Sequence, residues 1–218
     1  MPVKVGLRYI EVWKDCLETA VREYEKEEQK QRQIVFYGPS YFTRWSKAYG
    51  MKPMAEVLRG KSGASCVINR GFGSSCAEHQ LYYYDRMIRP LAPSVLVYHF
   101  HGNGSSFGYS AQESFEIAQR VIAYARTDFP DIRIYLVGVH PTKKDFNWSE
   151  QADAERIDRA MRNFAAETPN CHFVDVLHYE PLMRKDIFVE DGVHFDQAGY
   201  DIYADLYREV LKEELARF

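Results

Sequence analysis

No apolar run in this sequence approaches the roughly 20 residues that a membrane-spanning helix needs. The first residues, MPVKVGLRYIEVWKD, lack the uninterrupted apolar core of a secretory signal, so a cytoplasmic protein with no membrane span is expected. Cysteine is sparse. Cys16, Cys66, Cys76 and Cys171 are scattered without a C-x-x-C pair, which reads as reduced thiols rather than a disulfide framework. Positive charge is not in excess either: 28 basic residues are intermixed with 31 acidic ones, net −3, and no long basic run offers a nucleic-acid surface. Internal repeats, low-complexity segments and linkers are missing as well.

What remains is a chain that is 46% hydrophobic over 218 residues, enough for one sizeable core. One domain over 1–218 is expected, with 1–32 an amino-terminal helix and linker packed on it. Within that helix, Trp13, Cys16, Leu17, Ala20, Val21 and Tyr24 share one face of residues 8–30. Five short apolar stretches read as strands: 34–37, 64–69, 94–100, 132–139 and 171–176. Helical patterns lie between them, at 53–59, 76–89, 110–128 and 149–167, and a last helix follows Asp196, which is placed to cap it. Ser110 and Glu113 form a capping box at the start of the 110–128 helix. Strands alternating with helices predict a parallel sheet covered on both faces.

Two phosphate-binding patterns are approached and fail. Gly60-Lys61-Ser62 lacks the glycine five positions earlier that a P-loop needs, because Ala55 stands there. Gly102-x-Gly104 follows a strand, but Phe107 occupies the third glycine position of a dinucleotide fingerprint. His99 and His101 share one face of a strand and make a possible metal pair, without a carboxylate or a third histidine motif nearby.

Parallel strands put the loops that follow them on one sheet edge, where open α/β sheets hold their sites. Ser40 follows the first strand, the Gly71–Ser75 loop the second, Asn103 the third, and Asp191 and His194 the fifth. Taken singly, Ser40 is a helix cap, Asn103 and Asp191 are turn residues, and His194 is a core histidine. Taken together, they can do acyl-transfer chemistry. Ser40 serves as nucleophile, His194 takes its proton, Asp191 orients the imidazole, and Asn103 with backbone N–H groups stabilises an oxyanion.

The blocks GPSYFTRW, NRGFGSS, HGNG and DGVHFDQAGY, in this order between about residues 33 and 205, resemble those of the SGNH (GDSL-type) hydrolase family. The resemblance implies a flavodoxin-like three-layer α/β/α sandwich on a five-stranded parallel sheet. It also implies a serine esterase or acylhydrolase that needs no cofactor and no metal. Its roles carry over as Ser40 nucleophile, His194 base and Asp191 orienting acid, with the Ser40 N–H, the Ser74 N–H and the Asn103 amide as oxyanion donors. Three positions depart from the pattern: Pro39 replaces the family's Asp or Ser before the nucleophile, Ser74 its second-block glycine, and Gly104 the acidic residue after Asn103. The substrate class implied is a small-molecule or carbohydrate ester, with acetyl or short acyl groups favoured. The loops 102–109 and 139–148, through Phe107, Tyr109, Phe146 and Trp148, are expected to border the acyl group. Two other readings stand beside this one. One is a catalytically impaired module of the same fold that binds a ligand such as a carbohydrate. The other is a metal-dependent hydrolase using His99 and His101.

Overall fold

The structure, a computed structural model, describes residues 14–143 and 148–218, with 148–150 by backbone alone. Residues 8–13 of the expected first helix, Trp13 among them, lie outside the described residues, as do Phe146 and the Trp148 side chain.

Five strands form one sheet: β1 (Ile34–Gly38), β2 (Val67–Gly71), β3 (Val95–Tyr98), β4 (Arg133–Val137) and β5 (Cys171–Val174). Their order is β2-β1-β3-β4-β5 and every pairing is parallel. The principal helices are α1 (Lys14–Glu25), α2 (Ser40–Thr43), α3 (Met54–Val57), α4 (Ala77–Met87), α5 (Ala111–Asp128), α6 (Trp148–Glu167), α7 (Gln197–Val210) and α8 (Lys212–Leu215).

The alternation of side chains along each strand divides the core in two. Val35, Tyr37, Leu96, Tyr98, Ile134 and Leu136 face α1, α4, α5 and α6. Ile34, Phe36, Val95, Val97, Tyr135 and Val137 face α2, α3, α7 and α8. This is the expected α/β/α arrangement. The Ser110–Glu113 capping box forms, with the Ser110 Oγ accepting from the Glu113 N–H at 3.1 Å and Glu113 Oε2 from the Ser110 N–H at 2.9 Å. Asp196 caps α7 by accepting from the Gly199 N–H at 2.9 Å.

Two elements differ from expectation by more than two residues at a boundary. The first helix stops at Glu25 rather than near residue 30, because the polar run after it has no apolar stripe to bury. The second strand runs over Val67–Gly71 rather than 64–69: its register against β1 pairs Ile34 with Val67 and Gly38 with Gly71, while Ser65 bridges back to Arg59. Asn69 is a strand residue as expected, and Arg70 and Gly71 belong to the strand with it.

The face built on α2 and α7 is rich in aromatic rings. Phe36 meets Tyr207 at 4.8 Å and Phe42 at 5.2 Å between centroids, and Trp45 stacks on Tyr200 and Tyr203. Edge and offset ring contacts of this kind add about 0.5–1.5 kcal/mol each beyond area burial. They seat α2, which begins with Ser40, on the carboxyl end of β1. Gly71 permits that seating, since a β-carbon there would collide with the Thr43 amide.

Candidate active site

Ser40 is the first residue of α2, and Pro39 before it is the N-cap with φ −81°. That angle lies at the edge of the range proline allows, and ψ is −145°, outside the extended and helical regions. The Pro39 carbonyl accepts from the Phe42 and Thr43 N–H groups at 3.1 and 3.3 Å. Ser40 is half-buried, with its hydroxyl 2.7 Å from His194 Nε2.

His194 and Asp191 sit on a tight turn after β5. Gly192 takes φ +68° there, a left-handed conformation that suits glycine. Asp191 Oδ1 accepts from the Val193 and His194 N–H groups, each at 2.9 Å. Asp191 Oδ2 lies 2.8 Å from His194 Nδ1. An ionised carboxylate can only accept, so Nδ1 carries the proton and Nε2 is left to accept from Ser40. Burial pushes the Asp191 carboxyl up, but the His194 and Val193 N–H groups and the His194 ring outweigh it and hold it well below the usual carboxylate range. Burial also depresses the His194 imidazole below its ordinary value, against the opposing pull of Asp191 and with help from the Arg44 charge.

Asn103 donates from Nδ2 to the Ser75 carbonyl at 2.9 Å, joining the loops after β3 and β2. Ser74 is exposed and has φ +67°, a backbone position of glycine type. Its neighbour Gly73 comes close to the turn that carries Ser40: a β-carbon added there would stand 4.0 Å from Ser40 Cβ. Of the residues named for an acyl border, Phe107 packs edge-on to His79, with ring centroids 5.5 Å apart. Tyr109 turns inward instead of lining a pocket: it is 7% exposed and its hydroxyl donates to Glu78.

His99 and His101 do not form a metal pair with a third ligand among the described residues. His99 is buried against His140 at 4.4 Å and Tyr41 at 5.7 Å between centroids, and burial pushes it down to about 3. One group among the described residues does have donor atoms close enough for a metal ion. Asp158, Asp175 and His178 offer atoms within 4.8 Å of one another. Protein donors already engage them. Arg162 pairs with Asp175 at 2.6 Å, His178 contacts Asp175 and Glu155, and the Val139 N–H bonds Asp158 at 2.8 Å.

The sequence reading missed the groups that lock α2 to its surroundings. Asn69 donates to the Phe42 carbonyl at 2.7 Å, and Tyr41 donates to the Val193 carbonyl at 2.7 Å. Tyr200 donates to the Tyr41 carbonyl at 2.9 Å, and Arg44 Nη1 lies 3.0 Å from Asp191 Oδ2. Only Arg44 carried a signal, since it stands one helical turn after Ser40.

Residues 36–202 match the profile of the GDSL-like lipase/acylhydrolase family, while no curated protein sequence matches the chain. Solved structures share the fold. A GDSL-like lipase from Bacteroides thetaiotaomicron superposes with TM-score 0.68 at 19% identity, over 91% of this chain and 98% of that one. An acetyl xylan esterase gives 0.66 at 20% identity, over 82% and 99%. A psychrotrophic esterase from Pseudoalteromonas sp., in a structure inhibited by monoethylphosphonate, gives 0.64 at 13% identity, over 85% and 99%. The parallel sheet, its layers and the match over 36–202 place this chain in the GDSL-like lipase/acylhydrolase family, whose members hydrolyse ester bonds.

Proposed function

We propose that the protein is a serine ester hydrolase in which Ser40 is the nucleophile, His194 the general base and Asp191 the residue that fixes the imidazole tautomer. One observation carries this reading: a continuous line of hydrogen bonds runs from Ser40 Oγ through both ring nitrogens of His194 to Asp191, joining loops that follow β1 and β5. Nε2 takes the Ser40 proton as Oγ attacks the ester carbonyl carbon. The tetrahedral intermediate collapses, and the leaving alkoxide receives that proton from His194. Water, deprotonated by the same ring, then cleaves the acyl–Ser40 ester and regenerates the serine. Through both steps the Ser40 N–H, the Ser74 N–H and the Asn103 amide serve as donors to the developing oxyanion.

The substrate is a small-molecule or carbohydrate ester with an acetyl or other short acyl group. Support comes from the half-buried position of Ser40, the polar loop Gly73-Ser74-Ser75 beside it, and the inward turn of Tyr109, which takes one aromatic wall away from an acyl tunnel. The acetyl xylan esterase among the structural relatives acts on an acetylated sugar polymer, and the Pseudoalteromonas esterase is inhibited by a phosphonate.

A fluorophosphonate probe tests the chemistry. It is expected to label the native protein at Ser40, to fail with Ser40→Ala, and to label His194→Ala far more slowly. A native protein that resists the probe while folded would instead support a ligand-binding module. A series of p-nitrophenyl esters is expected to show kcat/KM falling as the acyl chain lengthens beyond a few carbons, and a maximum at long chains would overturn the short-acyl assignment.

A further inference from the structure

Ser40, His194, Asp191 and Arg44 close a ring of hydrogen bonds. Ser40 Oγ meets His194 Nε2 at 2.7 Å, and His194 Nδ1 donates to Asp191 Oδ2 at 2.8 Å. Arg44 Nη1 donates to that same oxygen at 3.0 Å, and the Arg44 backbone N–H donates to the Ser40 carbonyl at 2.8 Å. On the hydrolase reading above, we propose that Arg44 is a positioning residue of the site, holding the Asp191 carboxylate on the His194 ring and tying both to the helix that carries Ser40.

An ion pair that is a third exposed contributes little to stability as a rule. The Arg44–Asp191 pair, with side chains 33% and 38% exposed, is of that kind, so its value must be sought elsewhere than in folding. Two features separate it from an ordinary surface pair. It spans 147 residues, joining the nucleophile's helix to the acid's turn. It also engages the one carboxylate oxygen that the imidazole uses, so the guanidinium and the ring share that oxygen and fix its direction between them.

Geometry alone is secured twice over, because Tyr41 also bridges α2 to the turn through the Val193 carbonyl. The distinctive contribution of Arg44 is therefore its charge. Among the described residues, the other groups around His194 are few. Tyr41 presents its ring 5.5 Å from the imidazole, and His140, kept neutral by burial, stacks behind Tyr41. Lys143 donates its backbone N–H to the Gly192 carbonyl at 2.8 Å and lays its side-chain stem against Gly192. Glu190 flanks the turn in sequence. Against this background Asp191 favours the imidazolium and Arg44 opposes it. The base consequently stays neutral, and able to accept the serine proton, down to a lower pH than Asp191 alone would allow.

The decisive measurement is the NMR titration of the His194 ring in the intact protein, its resonance assigned by loss in His194→Ala. It needs no turnover. Arg44→Ala and Arg44→Gln are each expected to raise the His194 midpoint by about half a pH unit, and Arg44→Lys, which keeps the charge, by much less. About 1 M salt is expected to narrow the gap between the native and Arg44→Ala midpoints, since the charge that separates them is partly exposed and is screened. In turnover, Arg44→Ala is expected to shift the acid limb of kcat/KM by the same amount and to lower kcat several-fold with KM little changed. A His194 midpoint indifferent to salt, and to Arg44→Ala in folded protein, overturns the role of Arg44 while leaving the hydrolase reading intact. Absent ester turnover with a responsive His194 midpoint overturns the hydrolase reading and leaves the electrostatic coupling standing.

Discussion

Ser74 takes φ +67°, a left-handed backbone that an L side chain enters at a cost of about 1–2 kcal/mol. Ser74→Gly is therefore expected to stabilise the protein by about 1 kcal/mol in denaturant unfolding and to keep kcat within a few-fold, because the backbone N–H survives. Ser74→Ala keeps both the donor and the strain, so activity should persist without the gain in stability. Asn103→Ala removes a side-chain donor and should cost about 10²–10³ in kcat with KM little altered. A loss as large with Ser74→Ala, in folded protein, would make the Ser74 hydroxyl a working group. Ser40→Ala and His194→Ala should each abolish most hydrolysis, and the double variant should be little worse, since residues acting as a unit are not additive. Independent, multiplying losses would separate them. On the proposed mechanism the neutral imidazole is the active form, so kcat/KM should fall as pH drops through the His194 midpoint. Burial and Arg44 place that midpoint below the ordinary value of about 6.5. A profile whose limb lies well above neutrality would contradict this balance of charges.

Where β4 meets α6, a buried acid couples folding to pH. Asp158 is 2% exposed, its Oδ1 accepts from the Val139 N–H, and its Oδ2 has no hydrogen-bond partner among the described residues. Burial raises its carboxyl from 3.8 to about 6, with Asp175 adding to the rise. The folded state thus holds the proton more tightly than the unfolded chain. The stabilisation this represents is complete below about pH 4 and is lost as pH rises through about 6, a difference of roughly 3 kcal/mol. Asp158→Asn keeps the acceptor for Val139 and turns an amide toward Asp175. Its melting temperature is expected to exceed that of the native protein at pH 8 and to converge with it near pH 4. Parallel melting curves at the two pH values would show that Asp158 is charged in the fold without penalty.

Across the whole molecule, the site rests on the aromatic face rather than beside it. Tyr207 lies 4.8 Å from Phe36 and 4.7 Å from Tyr203 between centroids and is fully buried, so it connects β1 to α7 through a single ring. Tyr207→Ala should cost about 3–5 kcal/mol in equilibrium denaturation, the range for deleting a buried aromatic ring. The loss should appear as a lower midpoint with the denaturant slope unchanged. A cost below 1 kcal/mol would show that the cavity collapses and that α7 is not anchored there. No described helix is long and apolar enough to cross a membrane.

Much of this was legible in the chain because the relevant physics is local. The continuous apolar run 34–37 implies a strand buried on both faces, Ser110 and Glu113 cap a helix three residues apart, and Asp191 and His194 meet on a turn that Gly192 permits. Each of these depends on neighbours within a few residues, and each formed as read. The second strand slipped because its limits are set by pairing with β1, a partner more than 25 residues away, rather than by its own apolar run. The inward turn of Tyr109 and the burial of His99 were equally out of reach, since burial is a property of what packs on a side chain. The meeting of Ser40 with His194 shows the division most clearly. The order β2-β1-β3-β4-β5 sets β5 three strands from β1, about 14 Å away, so the segment after β5 must travel back across the sheet edge. Local pattern supplied the residues proposed as nucleophile, base and acid. Strand order, the Tyr41–Val193 bond and the Arg44–Asp191 pair brought them within hydrogen-bonding distance, because contacts between residues some 150 positions apart depend on the path of the whole chain.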